Sequence, residues 1–198
     1  MPVVWLPGEG FFANSYVYDG VLIDAGVFPM AVAPYAKEIS TIVLTHTHYD
    51  HIAHLKELKD LCHAEVCVHA LDVRGLTDDA PSLAPLFVAR PPGVAPDRLL
   101  KDGDMVGDLE VIHTPGHTPG GISLYHREEK LLFCGDTIFP GGSFGRYDFY
   151  GGDRVSLVRS VERLAALEVE GLYPGHGTPV EEGGGRHVRA AAMALQGS

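Results

Sequence analysis

Residues 41–51 read Thr-Ile-Val-Leu-Thr-His-Thr-His-Tyr-Asp-His. A compact β-forming run passes straight into four ligand-capable side chains, His46, His48, Asp50 and His51. Short apolar runs of this kind read as buried strands. The polar block therefore sits on the loop by which the chain leaves a sheet and turns into a helix. Side chains two apart in an extended segment point the same way, so His46 and His48 can reach one metal ion. Asp50 and His51, where the chain turns, can point to a second. A buried strand followed at once by this block fits a layered fold with a metal centre better than it fits solvent-facing polar residues.

Three further ligand candidates lie downstream: His117 in Thr-Pro-Gly-His-Thr-Pro-Gly, Asp136 after Leu-Leu-Phe-Cys-Gly, and His176 in Pro-Gly-His-Gly. All three fall at the ends of apparent strands, where sites in layered folds collect. The expected division is His46, His48 and His117 on one ion, Asp50, His51 and His176 on the other, with Asp136 bridging. Imidazoles with a few carboxylates suit zinc, iron, manganese or cobalt. Two divalent metal ions are expected, zinc first, with iron or manganese as alternatives. An open position on such ions makes water acidic enough to act as a nucleophile at neutral pH. Asp50, whose second oxygen can orient that nucleophile, and Asp136 are the expected catalytic carboxylates. His54, His63, His69, His113, His126 and His187 read as surface or turn residues. His54, three residues after His51, is a candidate for supporting the ligands.

Along the chain, residues 3–6 read as a strand, and 14–18 and 21–24 as a hairpin about Asp19-Gly20, a strong turn pair. A short helix is expected over 29–37 and a strand over 39–45. From His51 the period changes: Ile52, Leu55, Leu58 and Leu61 mark one face of an amphipathic helix. A strand at 65–69 follows. The proline-rich stretch 75–96 cannot be regular throughout and is a candidate substrate loop. Strands return at 109–113, 121–125 and 131–134. Asp153 is the expected N-cap of a helix to Leu167 that buries Val155, Val158, Val161, Leu164 and Leu167. Gly183-Gly184-Gly185 reads as a flexible hinge before a last helix at 186–195.

The chain has 198 residues, 45% hydrophobic, enough for one full domain. A net charge of −11 repels nucleic acid and anionic membranes. Three cysteines without a C-x-x-C pair argue against a disulfide framework and for a reducing, cytoplasmic location. Cys134 reads as a buried thiol. There is no basic leader and no apolar run long enough for a membrane span. The expected partner is a small-molecule thioester, with no nucleic acid or membrane, and the chain is expected as a monomer or homodimer.

The blocks THTHYDH, TPGHTPG, Cys134-Gly135-Asp136 and PGHG resemble the successive metal motifs of the metallo-β-lactamase superfamily, over nearly the whole chain from Ala13-Asn14 to Gly177. The resemblance implies an α/β (α+β) fold, the four-layer αββα sandwich, as a single domain over residues 1–198, with metals at the edge of two sheets. An aspartate at position 136 points to the hydrolase branches rather than the true β-lactamases. Residues 141–149, GGSFGRYDF, are similar to a segment of glyoxalase II-like (hydroxyacylglutathione hydrolase-like) thioesterases. That implies hydrolysis of an S-acylglutathione such as S-lactoylglutathione. Arg146 and Asp148 in this segment read first as a loop-pinning ion pair. The persulfide dioxygenases resemble the chain in the same motifs and would use one iron with His46, His117 and Asp136; lactonases share HxHxDH. Two-domain glyoxalase II enzymes carry a C-terminal helical domain. The present chain ends soon after His176, so the expectation is a single-domain form.

Overall fold

The computed structural model describes residues 2–197. The chain divides into two compact units, Met1–Leu100 and Lys101–Ser198. No helix among the described residues is long and apolar enough to cross a membrane.

The first unit is a six-stranded sheet. β1 (Val4–Leu6), β2 (Ser15–Tyr18) and β3 (Val21–Ile23) are antiparallel. The β2–β3 turn falls on Asp19 and Gly20, with φ of 46° and 74°, the left-handed pair that a two-residue hairpin requires. Then come α1 (Pro29–Val32), β4 (Thr41–Val43), α2 (Tyr49–Ile52), α3 (Leu55–Cys62), β5 (Glu65–His69), α4 (Asp79–Ser82) and β6 (Arg98–Leu100). β3, β4, β5 and β6 run parallel, so their carboxyl ends share one edge of the sheet, where α/β folds collect their sites. The stretch 75–96 holds only α4 and short 3-10 turns.

Two helices differ from expectation. The helix expected over 29–37 is one α-helical turn continued by a 3-10 turn at 33–35, because Pro34 has no N–H to extend the ladder. The helix expected from His51 is broken between α2 and α3. The His54 amide leaves the helical ladder and donates to the Ala25 carbonyl at 3.0 Å, and His54 sits at φ −112°, ψ 16°. α3 buries Leu55, Leu58 and Cys62, whereas Leu61 is 39% exposed. The buried trio packs with Leu22, Ile42 and Val66 of the sheet.

The second unit is a five-stranded sheet in the order β13-β10-β9-β8-β7, with a small separate ribbon. Its elements are β7 (Met105–Val106), β8 (Leu109–His113), β9 (Ile122–His126), β10 (Leu131–Gly135), β11 (Ile138–Phe139), β12 (Ser143–Phe144), α5 (Arg154–Ala165), β13 (Gly171–Pro174) and α6 (Gly185–Gly197). β10 and β13 are parallel; β7 to β10 are antiparallel neighbours. Asp153 caps α5 as expected, its Oδ2 accepting from the Ser156 amide at 2.8 Å.

The buried stripe of α5 is Leu157, Ser160, Val161 and Leu164. That is the i, i+3, i+4, i+7 spacing of one helix face, and it leaves Val155, expected inside, 55% exposed. Ser160 tolerates burial because its hydroxyl donates to the Pro115 carbonyl at 2.7 Å. The expected glycine hinge at 183–185 is instead a packed corner. The Gly184 and Gly185 amides donate to Glu170 and Val169, both at 2.8 Å. A Cβ on Gly184 would meet the Glu170 carbonyl at 2.9 Å, so the glycine serves close approach rather than flexibility. α5 and α6 join β10 and β13 in one apolar cluster around Leu132, Leu157, Leu164, Leu172 and Val188.

Candidate metal centre

In the first unit the loop after β4 carries His46 and His48, and α2 carries Asp50 and His51. All but Asp50 are buried, and Asp50 is partly so. His46 Nε2 and His48 Nδ1 stand 3.1 Å apart. Two nitrogens sharing a tetrahedral ion at ~2.05 Å each are about 3.3 Å apart, so the pair is spaced to share one. His51 Nε2 lies 3.7 Å from Asp50 Oδ2.

What aims these rings is Asp24, at the carboxyl end of β3. Its Oδ1 accepts from the Thr45 amide at 2.7 Å, and its Oδ2 accepts from the Thr45 hydroxyl and from His51 Nδ1, both at 2.8 Å. A carboxylate that accepts from Nδ1 holds His51 in the tautomer that presents Nε2. The Thr45 oxygen, its proton given to Asp24, faces His46 Nδ1 at 3.2 Å and selects the same tautomer there. Asp24 reaches this place with φ of 60°, a conformation that aspartate tolerates better than most residues. The spacing rules did not single it out. Its partners are 21 and 27 residues away, and an aspartate closing a strand is the one local sign.

Thr47, between the two histidines, is itself buried. Its hydroxyl donates to the Asp72 carbonyl at 2.8 Å. Gly75 makes room for it, since a Cβ there would come within 2.1 Å of Thr47 Oγ1.

In the second unit His117 follows β8, Asp136 follows β10 and His176 follows β13. Asp136 Oδ2 is 3.6 Å from His117 Nε2 and also 3.6 Å from His176 Nε2. One carboxylate oxygen thus faces two imidazoles, the placement that a ligand shared between two ions requires. His117 Nδ1 donates to the Arg146 carbonyl at 2.6 Å, which fixes its tautomer with Nε2 toward Asp136. Gly145 permits the approach: a Cβ there would lie 1.8 Å from the Asp136 carbonyl oxygen and 3.1 Å from His117 Nδ1. The glycine-rich segment therefore touches the centre through its backbone. The Arg146 guanidinium pairs with Asp148 at 2.8 and 2.9 Å in solvent, as the loop-pinning reading expects. That guanidinium holds the Asp148 carboxyl below its ordinary range.

The other histidines take structural places. His69 accepts from the Leu71 amide, His126 from the Glu129 amide and His187 from the Gly141 amide. His113 bonds the Pro119 carbonyl, and His63 is the left-handed C-cap of α3. His54 lies against Phe12 and Phe28, and burial lowers its pKa. Cys134 is fully buried, and desolvation pushes its thiol up to about 12, so it is no nucleophile at neutral pH.

The donor chemistry suits a pair of divalent cations. Each unit gathers imidazoles with a partly buried carboxylate; four of the five rings are buried, and acceptors behind three of them fix their tautomers, which is how metal-binding histidines are supported. A family model of the metallo-beta-lactamase superfamily matches residues 8–176. The chain belongs to the metallo-β-lactamase superfamily. A probable metallo-hydrolase of Methanocaldococcus jannaschii is 32% identical over 88% of this chain and 92% of its own length. An acyl-coenzyme A thioesterase of Gallus gallus is 35% identical over 85% and 73%. A hydroxyacylglutathione hydrolase of Haemophilus influenzae is 33% identical over 71% and 69%. Among solved structures, TTHA1623 in a di-iron-bound form aligns with a TM-score of 0.81 at 30% identity, over 89% of this chain and 93% of that one. The fold is thus the α/β sandwich of the superfamily, as the sequence motifs imply, and the chain is placed among metallo-hydrolases.

Proposed function

We propose that the chain, acting as one domain, is a two-metal thioesterase of the glyoxalase II type that hydrolyses an S-acylglutathione such as S-lactoylglutathione. His46, His48 and His117 would hold one ion, Asp50, His51 and His176 the other, and Asp136 both. The observation that carries the reading is the single Asp136 oxygen equidistant from His117 and His176. One relative named as an acyl-coenzyme A thioesterase and one named as a hydroxyacylglutathione hydrolase support the class of bond. Two divalent cations held there would polarise the thioester carbonyl and lower the pKa of a water molecule.

The chain's own residues do the rest. Asp24 and the Arg146 carbonyl keep the imidazole lone pairs aimed, so no reorientation is needed as charge develops on the carbonyl oxygen. Asp50, with one oxygen toward His51, turns its other carboxylate oxygen to orient the attacking water and take its proton. Water adds to the acyl carbon, the C–S bond breaks, and a carboxylic acid and a thiol result. A thiolate leaves readily, so no strong general acid is required.

The test is metal content of protein purified anaerobically without added metal, together with thiol release from S-lactoylglutathione. Near two ions per chain and thiol release are expected, with both lost in His48→Ala. One iron per chain, with oxygen consumed on a persulfide and no thioester cleavage, would replace this reading with a dioxygenase. Near-full metal and activity in His48→Ala would overturn the first-ion assignment.

A further inference from the structure

An aromatic wall lies directly beside the histidine-rich loop of the first unit. Phe12 stacks on Phe87 with centroids 6.2 Å apart and meets Phe28 edge-on at 6.1 Å. His54 packs against Phe28 at 4.4 Å and Phe12 at 5.6 Å. Tyr49, the residue after His48, closes on Phe87 at 5.3 Å.

The wall is tied to the ligand segment by backbone bonds. The Ala13 amide, next to Phe12, donates to the Asp50 carbonyl at 3.1 Å, and the Ala25 amide donates to the His51 carbonyl at 2.7 Å. Gly26, two residues before Phe28, lies so close to Asp50 that a Cβ would stand 2.4 Å from its carbonyl oxygen.

Phe28 also lines a cavity of about 320 Å³ with Val27, Met30, Ala31, Pro7 and Glu9. Met30 is 85% exposed beside it. Apolar side chains gathered in the open next to a reaction centre mark a ligand surface. Among the described residues Glu9 is the one charged member of the lining, and it disfavours an anionic occupant.

We infer that this wall seats the acyl group of the substrate, so that apolar acyl groups of medium length are preferred over small hydroxylated ones. The inference rests on the thioesterase reading above and adds to it the substrate class. Phe28 and Met30 are then specificity-determining residues, acting on the acyl tail and not on the carbonyl.

The experiment compares S-acetyl-, S-lactoyl- and S-octanoylglutathione on the metal-loaded enzyme. A fully buried methylene is worth about fourfold in binding, so partial burial of the tail should raise kcat/KM at least tenfold from acetyl to octanoyl. Phe28→Ala should reduce the octanoyl-to-acetyl ratio about fivefold, mainly through KM, and Met30→Gln about twofold. Met30 is at the surface, so its variant tests the wall without endangering the fold.

Binding is read separately by calorimetry with S-octylglutathione and S-methylglutathione, which have no thioester to cleave. Tighter binding of the octyl compound, weakened by Phe28→Ala, is expected. If no thioester is cleaved yet that binding pattern holds, the thioesterase reading fails and the apolar subsite stands. Equal kcat/KM across the series with equal affinity for the two thioethers overturns the subsite. A dimer in sedimentation that Met30→Glu dissolves, with no octyl preference, would make the wall a contact between copies and overturn it as well.

Discussion

At the residue scale the least conspicuous side chain of the centre is Asp24. It ligates nothing in the proposed scheme, yet three hydrogen bonds converge on it, from Thr45 twice and from His51. Asp24→Asn can still accept at one oxygen but offers an amide N–H where a second donor needs an acceptor. Loss of such a partner costs typically 10- to 100-fold in metal affinity. A chelator competition titration should show a loss of that size, and an affinity within twofold of wild type would refute the positioning role. Gly145→Ala tests the other unit in the same way. A Cβ 1.8 Å from the Asp136 carbonyl oxygen must move backbone, so bound metal should fall sharply while Arg146→Ala, which keeps the carbonyl that His117 uses, should retain it. Equal metal content in Gly145→Ala and wild type would refute the close-approach argument. The proposed ligands were legible because ligand-type residues cluster within motifs. Asp24 and Gly145 were not, because their roles depend on contacts made only after the chain folds.

At the scale of elements, periodicity placed the helices better than it phased them. Counting in threes from Ile52 gives Leu55, Leu58 and Leu61, but a helix repeats every 3.6 residues. With a break at His54 the next buried position after Leu58 is Cys62. The same drift puts Leu157 rather than Val155 on the inner face of α5. The break was unreadable because it is made by a distant carbonyl, that of Ala25, which competes for the His54 amide. The two-residue strands β7, β11 and β12 escaped notice for a related reason. Runs that short carry no period, and pairing partners alone define them. The phase of α5 predicts a contrast between two truncations. Leu164→Ala, at a fully buried site, should cost about 2–5 kcal/mol. For a chain of this size each kcal/mol lowers Tm by roughly 2–4 °C, so a drop of several degrees or more is expected. Val155→Ala should lie within about 0.5 kcal/mol of wild type, as surface substitutions do. Comparable losses in calorimetry would mean that α5 is rotated from the position described.

At the scale of the whole molecule, two electrostatic effects oppose each other as pH falls. The chain carries 26 acidic and 15 Lys or Arg residues, so partial protonation first relieves its self-repulsion and should stabilise it slightly. Specific carboxylates act the other way. The Lys59 ammonium and the Val66 amide hold the Asp97 carboxyl below its ordinary range. The Arg163 guanidinium, bidentate at 2.7 and 3.1 Å, and the His113 amide do the same for Asp102. A carboxylate whose pKa is lower in the folded state contributes stability that is complete above its unfolded value, about 3.9 for aspartate. That contribution is lost as pH falls through the depressed folded value. Denaturation at fixed metal-free conditions should therefore show a shallow maximum near about pH 5 and a fall below about pH 4. Added salt should flatten the rise between pH 7 and 5, where repulsion is screened over about 10 Å at 0.1 M, and should change the acid fall much less. Asp102 and Arg163 are both about half exposed, so Asp102→Asn should remove at most about 1 kcal/mol, in full above about pH 4 and progressively less below it. A variant loss that persisted unchanged at pH 3 would mean that Asp102 acts through packing rather than charge, and the depressed carboxylates could not then explain the acid limb.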